Sequence, residues 1–86
     1  MNEFEAQIIF NCQKPRRPSQ LEMMFSDYSY GHVVRTASRL AKLEKLAKSK
    51  SPLGIFYIAT DVGLKEVKEF FEKNLITTTA TVENSE

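Results

Sequence analysis

Near the beginning of the chain, every second residue from 4 to 12 is apolar. These residues are Phe4, Ala6, Ile8, Phe10 and Cys12. Most of the intervening residues are polar, so a period of two would place the apolar side chains on one face of an extended segment. The pattern predicts a strand over residues 4–12. Pro15 and Pro18 follow, and because proline lacks an amide donor they predict a connection there.

The next two segments carry apolar residues at helical spacing. Ser19 and Glu22 fit a capping box, and apolar residues recur behind them up to Tyr28, which predicts a helix over residues 19–29 that stops near Gly31. Beyond it, the apolar positions from Val33 to Ala47 lie on one side of a second predicted helix, over residues 33–50.

The last third of the chain predicts a strand, a helix and a further strand. Residues 55–59 are a continuous apolar run between turn residues, which is typical of a central strand covered on both faces. Asp61 is a candidate N-cap for a helix over residues 62–73, with Asn74 as its stop. Residues 76–82 are mostly β-branched, and Ile76, Thr78, Ala80 and Val82 alternate with a wetter threonine face, so we expect a final strand.

These elements predict an α/β or α+β fold in the order β-α-α-β-α-β, with helices packed on a small three-stranded sheet whose neighbouring strands are parallel. We expect one domain over residues 1–82 and a frayed tail over residues 83–86. The alternative makes residues 28–36 a strand, which gives a ferredoxin-like β-α-β-β-α-β fold with a helix over residues 38–50 inserted in it.

Composition narrows the class of protein. Cys12 is the sole cysteine, which excludes an intramolecular disulfide and a cysteine-rich zinc site, and no apolar run approaches the length of a membrane span. The first residues carry acids where a signal peptide needs cations. We expect a cytoplasmic protein that has no membrane partner.

Charge is distributed unevenly along the chain. Nine of the twelve Lys and Arg residues lie between Lys14 and Lys50 with three acids among them, which gives this middle part a net charge of +6 although the whole chain carries +1. A cationic surface of this kind attracts phosphate or an acidic protein. The simpler interpretation, that these side chains are solvated and serve solubility, stays open.

The basic residues divide into two candidate groups. If the strands at 4–12 and 55–60 are parallel, Lys14, Arg16 and Arg17 lie with Ser19 close to Thr60, Asp61 and Gly63, where helix starts and guanidinium groups would bind phosphate. The predicted helix over 33–50 carries a stripe that would follow a nucleic-acid backbone, and Tyr30 is a candidate for base stacking beside it. The predicted nucleic-acid-binding residues are Lys14, Arg16, Arg17, Tyr30, Arg35, Arg39, Lys42 and Lys45.

Catalytic chemistry has little support in the sequence. His32 is the single histidine and we expect it to be structural, while Cys12 is expected to pack as a small hydrophobic residue. Nucleophile, base and orienting group do not occur together in a recognisable spacing. We expect no cofactor and no metal ion, and a non-catalytic role is favoured over an enzymatic one, which stays open.

The function that best fits these observations is that of a small regulatory protein that binds RNA or DNA through its basic surface. RNA is slightly favoured over DNA, and binding should depend steeply on salt and weakly on sequence. The alternative is a protein-binding module or inhibitor that docks its basic helix on an acidic partner. A homodimer through an edge strand, at residues 4–12 or 76–82, is also consistent with the sequence.

Overall fold

The computed structural model describes the backbone of residues 1–85 and the side chains of residues 1–74. The fold is α+β, with four helices and one antiparallel hairpin in this part of the chain. The elements are α1 (Glu3–Asn11), α2 (Pro18–Met24), α3 (Tyr30–Lys42), β1 (Leu46–Ser51), β2 (Gly54–Ala59) and α4 (Asp61–Ser85). Among the described residues, none of the helices combines the length and apolar character that a membrane span requires.

The first element is a helix, so the predicted strand over residues 4–12 is wrong. The Asn2 side chain accepts the Glu5 amide while the Glu5 carboxylate accepts the Asn2 amide, which closes a capping box at the start of α1. Ile9 was expected on the wetter face and is fully buried, whereas Phe10 was expected in the core and is 48% exposed. Burial therefore follows helical spacing, not a period of two.

The second helix agrees with the sequence in position but is shorter. α2 begins at Pro18 instead of Ser19, because Gln20 accepts the Arg17 amide at 2.8 Å and replaces the predicted capping box. α2 ends at Met24, and Ser29 then caps α3 by accepting the His32 amide at 3.2 Å. Since residues 30–42 are helical, the ferredoxin-like alternative with a strand over residues 28–36 is also wrong.

The helix predicted over residues 33–50 stops at Lys42. The amide of Lys45 donates to the Leu40 carbonyl and that of Glu44 to the Ala41 carbonyl, at 2.9 and 3.0 Å, which is the Schellman pattern of a helix end. Glu44 takes the left-handed conformation that this ending requires, with φ of 62°. The chain then leaves as β1, so residues 46–51 form a strand where the sequence predicted helix.

β2 confirms a strand at residues 55–59, although the sheet around it differs from the one expected. β1 and β2 are antiparallel, with Leu46 opposite Ala59 and Ser51 opposite Gly54. On the other side of β2 a single bridge joins Tyr57 to Arg16, through hydrogen bonds of 2.9 and 2.8 Å. The expected three-stranded parallel sheet is thus replaced by a hairpin and one bridging residue.

α4 confirms the helix over residues 62–73 and overturns the strand predicted over residues 76–82, because the helix continues to Ser85. Thr60, not Asp61, caps it: the Thr60 hydroxyl accepts the Gly63 amide at 3.0 Å. Asn74 lies within the helix and donates from Nδ2 to the Phe70 carbonyl at 2.9 Å. Of the predicted tail at 83–86, the first three residues belong to α4 and Glu86 lies outside the described residues.

One hydrophobic core joins the elements. It contains residues from α1, α2, α3, both strands and α4, together with Cys12 at the end of α1: Ala6, Ile8, Ile9, Cys12, Leu21, Val33, Ala37, Leu40, Leu46, Tyr57 and Val67. The predicted burial of Cys12 is confirmed, and its carbonyl accepts the Ala59 amide at 2.7 Å. This core fixes α3 and the hairpin relative to each other.

The end of α3 gives the first stability prediction. A non-glycine residue in the left-handed region costs about 1–2 kcal/mol, and glycine avoids this cost while losing about 0.5–1 kcal/mol of backbone entropy on folding. We expect Glu44→Gly to raise the free energy of unfolding by about 0.5–1 kcal/mol in urea denaturation. Glu44→Ala keeps the strain and is the matched control; an equal gain from both variants would contradict the explanation.

The start of α4 gives a second stability prediction. A Cβ on Gly63 would lie 2.0 Å from the Lys45 carbonyl oxygen, so any side chain here forces α4 away from the beginning of β1. We expect Gly63→Ala to lower the free energy of unfolding by about 1–3 kcal/mol, measured by urea denaturation. Val62→Ala, one residue away and exposed, should have a much smaller effect; an unchanged midpoint for Gly63→Ala would refute the close approach.

Candidate nucleic-acid interface

α3 has one buried side and one cationic side. Its buried residues are Val33, Thr36, Ala37 and Leu40. Arg35 and Lys42 are exposed on the opposite side, with Ser38 between them. An open depression of about 460 Å³ lies along this side, lined in part by these three residues and Arg39. The helical arrangement of Arg35, Arg39 and Lys42 is therefore as predicted.

Arg39 differs from its neighbours because it is paired within the fold. Its guanidinium forms an ion pair with the Glu5 carboxylate on α1, and the same carboxylate accepts the Asn2 amide through its other oxygen at 2.9 Å. Burial alone would raise the pKa of Glu5, but the Asn2 amide and the Arg39 guanidinium lower the pKa below its ordinary value. Arg39 therefore lies on this side with its charge partly neutralised.

Lys45, the last residue of the predicted stripe, is outside α3. Its ammonium pairs with the Glu66 carboxylate of α4 at 2.9 Å, and the side chain is only 22% exposed. Lys45 consequently ties the beginning of the hairpin to α4. The predicted four-residue stripe is reduced to two cations without an ion pair among the described residues, Arg35 and Lys42.

The hairpin supplies two lysines that the sequence did not assign to the site. Lys48 lies opposite Tyr57 and Lys50 opposite Ile55, and residues directly opposite in an antiparallel pair project to the same face. Tyr57 on that face shares a hydrogen bond of 3.3 Å with Ser38 of α3. Lys48 and Lys50 therefore leave β1 on the side where α3 lies.

The alternation of residue types over residues 46–51 could have predicted that these lysines lie on a strand. Between Leu46 and Ser51 the sequence alternates Lys48 and Lys50 with small residues, just before a Pro-Leu-Gly turn and the strand at residues 55–59. The sequence instead predicted a helix there, whereas Lys48 lies on β1.

The loop before α2 holds the other predicted cations, and they do not join the α3 surface as one group. Arg16 donates from Nε to the Asn11 carbonyl at 2.8 Å, which engages it in the fold. The Arg17 guanidinium lies 5.3 Å from the centre of the Phe56 ring. Phe56 projects to the opposite face of β2 from Tyr57, so Arg17 lies on the far side of the hairpin. Lys14 is exposed in the same loop.

The predicted phosphate site between two helix starts is not formed. It required parallel strands at residues 4–12 and 55–60, and the first of these segments is a helix. The Thr60 hydroxyl donates to the Glu44 carbonyl at 2.6 Å, and Gly63 is buried against Lys45. These groups hold the hairpin against α4 and are occupied within the fold.

Aromatic side chains form a cluster between α1 and the beginning of α3. The Phe4 ring stacks on Tyr28 and on His32, with centroid distances of 4.1 and 5.0 Å, and meets Phe25 edge to face at 5.5 Å. His32 is thus part of a packing cluster, in line with the structural role expected for it. Tyr30, the predicted stacking residue, is the first residue of α3 and is 48% exposed.

Metal-ligating groups and the single cysteine were the remaining candidates for chemistry in this chain. No cluster of three or more His, Cys, Asp or Glu side chains is placed to hold a metal ion in the described part of the chain. Burial raises the pKa of the Cys12 thiol to about 12, so this thiol is held in its protonated, weakly nucleophilic form.

Comparison with protein-family models, with curated proteins and with solved structures finds no match for this chain.

The Glu5 contact gives a pH-dependent prediction. Because the folded-state pKa of Glu5 is lowered, its contribution to stability is present above the unfolded-state value and is lost as pH falls through the folded value. We expect Glu5→Gln to lower the free energy of unfolding by about 0.5–1 kcal/mol at neutral pH and by less in acid. The effect is small because solvent screens the exposed Arg39 guanidinium. Urea denaturation at neutral and acidic pH measures the difference; a constant difference at both pH values would contradict this account. Glu3→Gln, exposed on the same helix, is the control.

Proposed function

We propose that this chain binds duplex DNA, with α2 and α3 as a helix-turn-helix and the β1–β2 hairpin as a wing beside it. In this arrangement α3 enters the major groove and the hairpin lies over the neighbouring backbone. The role is that of a non-catalytic regulatory protein, as the sequence led us to expect. The cations of the hairpin extend the proposed surface beyond the predicted one.

A single observation supports this proposal most strongly. Arg35 and Lys42 are exposed on the side of α3 that carries Ser38, Lys48 and Lys50 are exposed on the face of β1 that lies opposite Tyr57 and Ile55, and the Tyr57–Ser38 hydrogen bond joins the two elements. None of these four cations has an ion pair among the described residues. They are available to displace counterions from a polyanion.

The shape of the surface favours DNA over RNA, which reverses the slight preference expected from the sequence. α3 has thirteen residues, a length of about 20 Å, and a helix with its side chains is about 10–12 Å in diameter. The major groove of B-DNA is about 12 Å wide and admits such a helix, whereas the major groove of A-form RNA is too narrow for side chains to read. A helix with one exposed cationic side, next to a hairpin, thus fits a DNA duplex better.

The acidic-partner and homodimer hypotheses from the sequence are both affected by the observed fold. An acidic protein surface would be attracted by the same cations, and this alternative becomes an outcome of the binding test. Homodimerisation through an edge strand at residues 4–12 or 76–82 loses its basis, because both segments are helical.

The proposal predicts a salt-sensitive affinity that depends on the shared cationic side. We expect Lys42→Gln combined with Lys48→Gln and Lys50→Gln to reduce affinity for a DNA duplex of about two helical turns and to lower the slope of log K against log salt by about 2–3. The reason is that each lost phosphate contact releases one counterion fewer. Fluorescence anisotropy over a salt series measures both quantities.

Lys65→Gln combined with Lys68→Gln is the matched control, because both lysines are exposed on α4, which is not part of the proposed surface. This control should retain affinity and slope. Equal binding of duplex DNA and duplex RNA would count against a helix in the groove. Absence of binding to either at low salt, together with retention on polyglutamate, would replace the proposal by the acidic-protein alternative.

A further inference from the structure

Arg35 differs from the other arginines of the basic segment in having no internal partner among the described residues. Arg16 donates to the Asn11 carbonyl, Arg17 lies over the Phe56 ring and Arg39 pairs with Glu5. Arg35 is exposed on the side of α3 opposite the buried residues of that helix. Its full set of guanidinium donors is therefore available to a ligand.

Gly31, one helical turn before Arg35, leaves the space in which the guanidinium lies. The Arg35 Nη1 atom is 3.3 Å from the position that a Cβ on residue 31 would occupy. Such a distance is tighter than an ordinary contact, so a methyl group there would displace the guanidinium by a few tenths of an ångström. The side chain is thus directed back over the first turn of α3, the part of a recognition helix that meets base edges.

From this geometry we infer that Arg35 is the base-reading residue of the proposed DNA site, donating two hydrogen bonds to O6 and N7 of one guanine. A guanidinium fork matches these two acceptors, whereas Lys42, Lys48 and Lys50 are point charges suited to phosphate. The inference rests on the proposed function. It replaces the weak sequence dependence expected from the sequence with specificity at one position.

The experiment begins with selection of a random duplex library by the wild-type chain at near-physiological salt. We expect one position of the selected sequence to be guanine. Affinities are then measured on three duplexes that differ only there: one with guanine, one with 7-deazaguanine, which lacks the N7 acceptor, and one with an A·T pair.

The wild-type chain should bind the guanine duplex about 10- to 100-fold more tightly than the A·T duplex, with 7-deazaguanine in between. Arg35→Ala should bind all three alike. Gly31→Ala keeps the charge and should lose several-fold of the discrimination while retaining affinity for the A·T duplex. Lys42→Gln is the control and should weaken binding to all three by a similar factor. Unchanged circular dichroism of Arg35→Ala confirms that this variant is folded.

The outcomes separate this inference from the proposed function. If Arg35→Ala retains the guanine preference, or weakens binding to all three duplexes equally, Arg35 is a phosphate contact and the inference is overturned while DNA binding stands. Selection of no sequence by a chain that still binds duplex DNA overturns it as well. Failure of the wild-type chain to bind any duplex overturns the proposed function itself.

Discussion

The end of α3 is the constraint on which the rest of the structure depends. Glu44 turns the chain through the left-handed region, and the carbonyls of Glu44 and Lys45 then accept the Thr60 hydroxyl and the Thr60 amide, at 2.6 and 3.2 Å. Gly63 allows α4 to start directly against Lys45. This junction separates α3 from the hairpin and fixes where the hairpin returns.

The sequence predicted elements whose signals are local. The helices near residues 19–29 and 62–73 and the strand at residues 55–59 all exist, because caps, turn residues and an apolar run specify them nearby. The strand predicted over residues 4–12 was wrong because most apolar positions there fit both the period of a strand and that of a helix. Only the burial of Ile9 and the exposure of Phe10 distinguish the two. The end of α3 was missed because a glutamate, not a glycine, takes the left-handed position.

The candidate site was predictable only in part, for electrostatic reasons. Arg35 and Lys42 were placed correctly on one helix side because helical spacing is a property of the local sequence. The pairing of Arg39 with Glu5 and of Lys45 with Glu66 joins residues far apart in the chain, so charge counting alone overestimates the free cations. The structure offsets this loss with Lys48 and Lys50, which the hairpin turns toward α3. Fewer unpaired cations lie on α3 than the sequence predicted, and β1 adds two that it did not predict.

The position of Cys12 has a practical consequence for studying this chain. The thiol is fully buried where α1 meets β2, and it is the sole cysteine of the sequence. A thiol reagent can reach it only when the packing between these elements opens, so the rate of labelling reports the opening equilibrium at one defined place. The chain therefore carries a native reporter of local opening between α1 and β2, and no label needs to be introduced elsewhere to follow it.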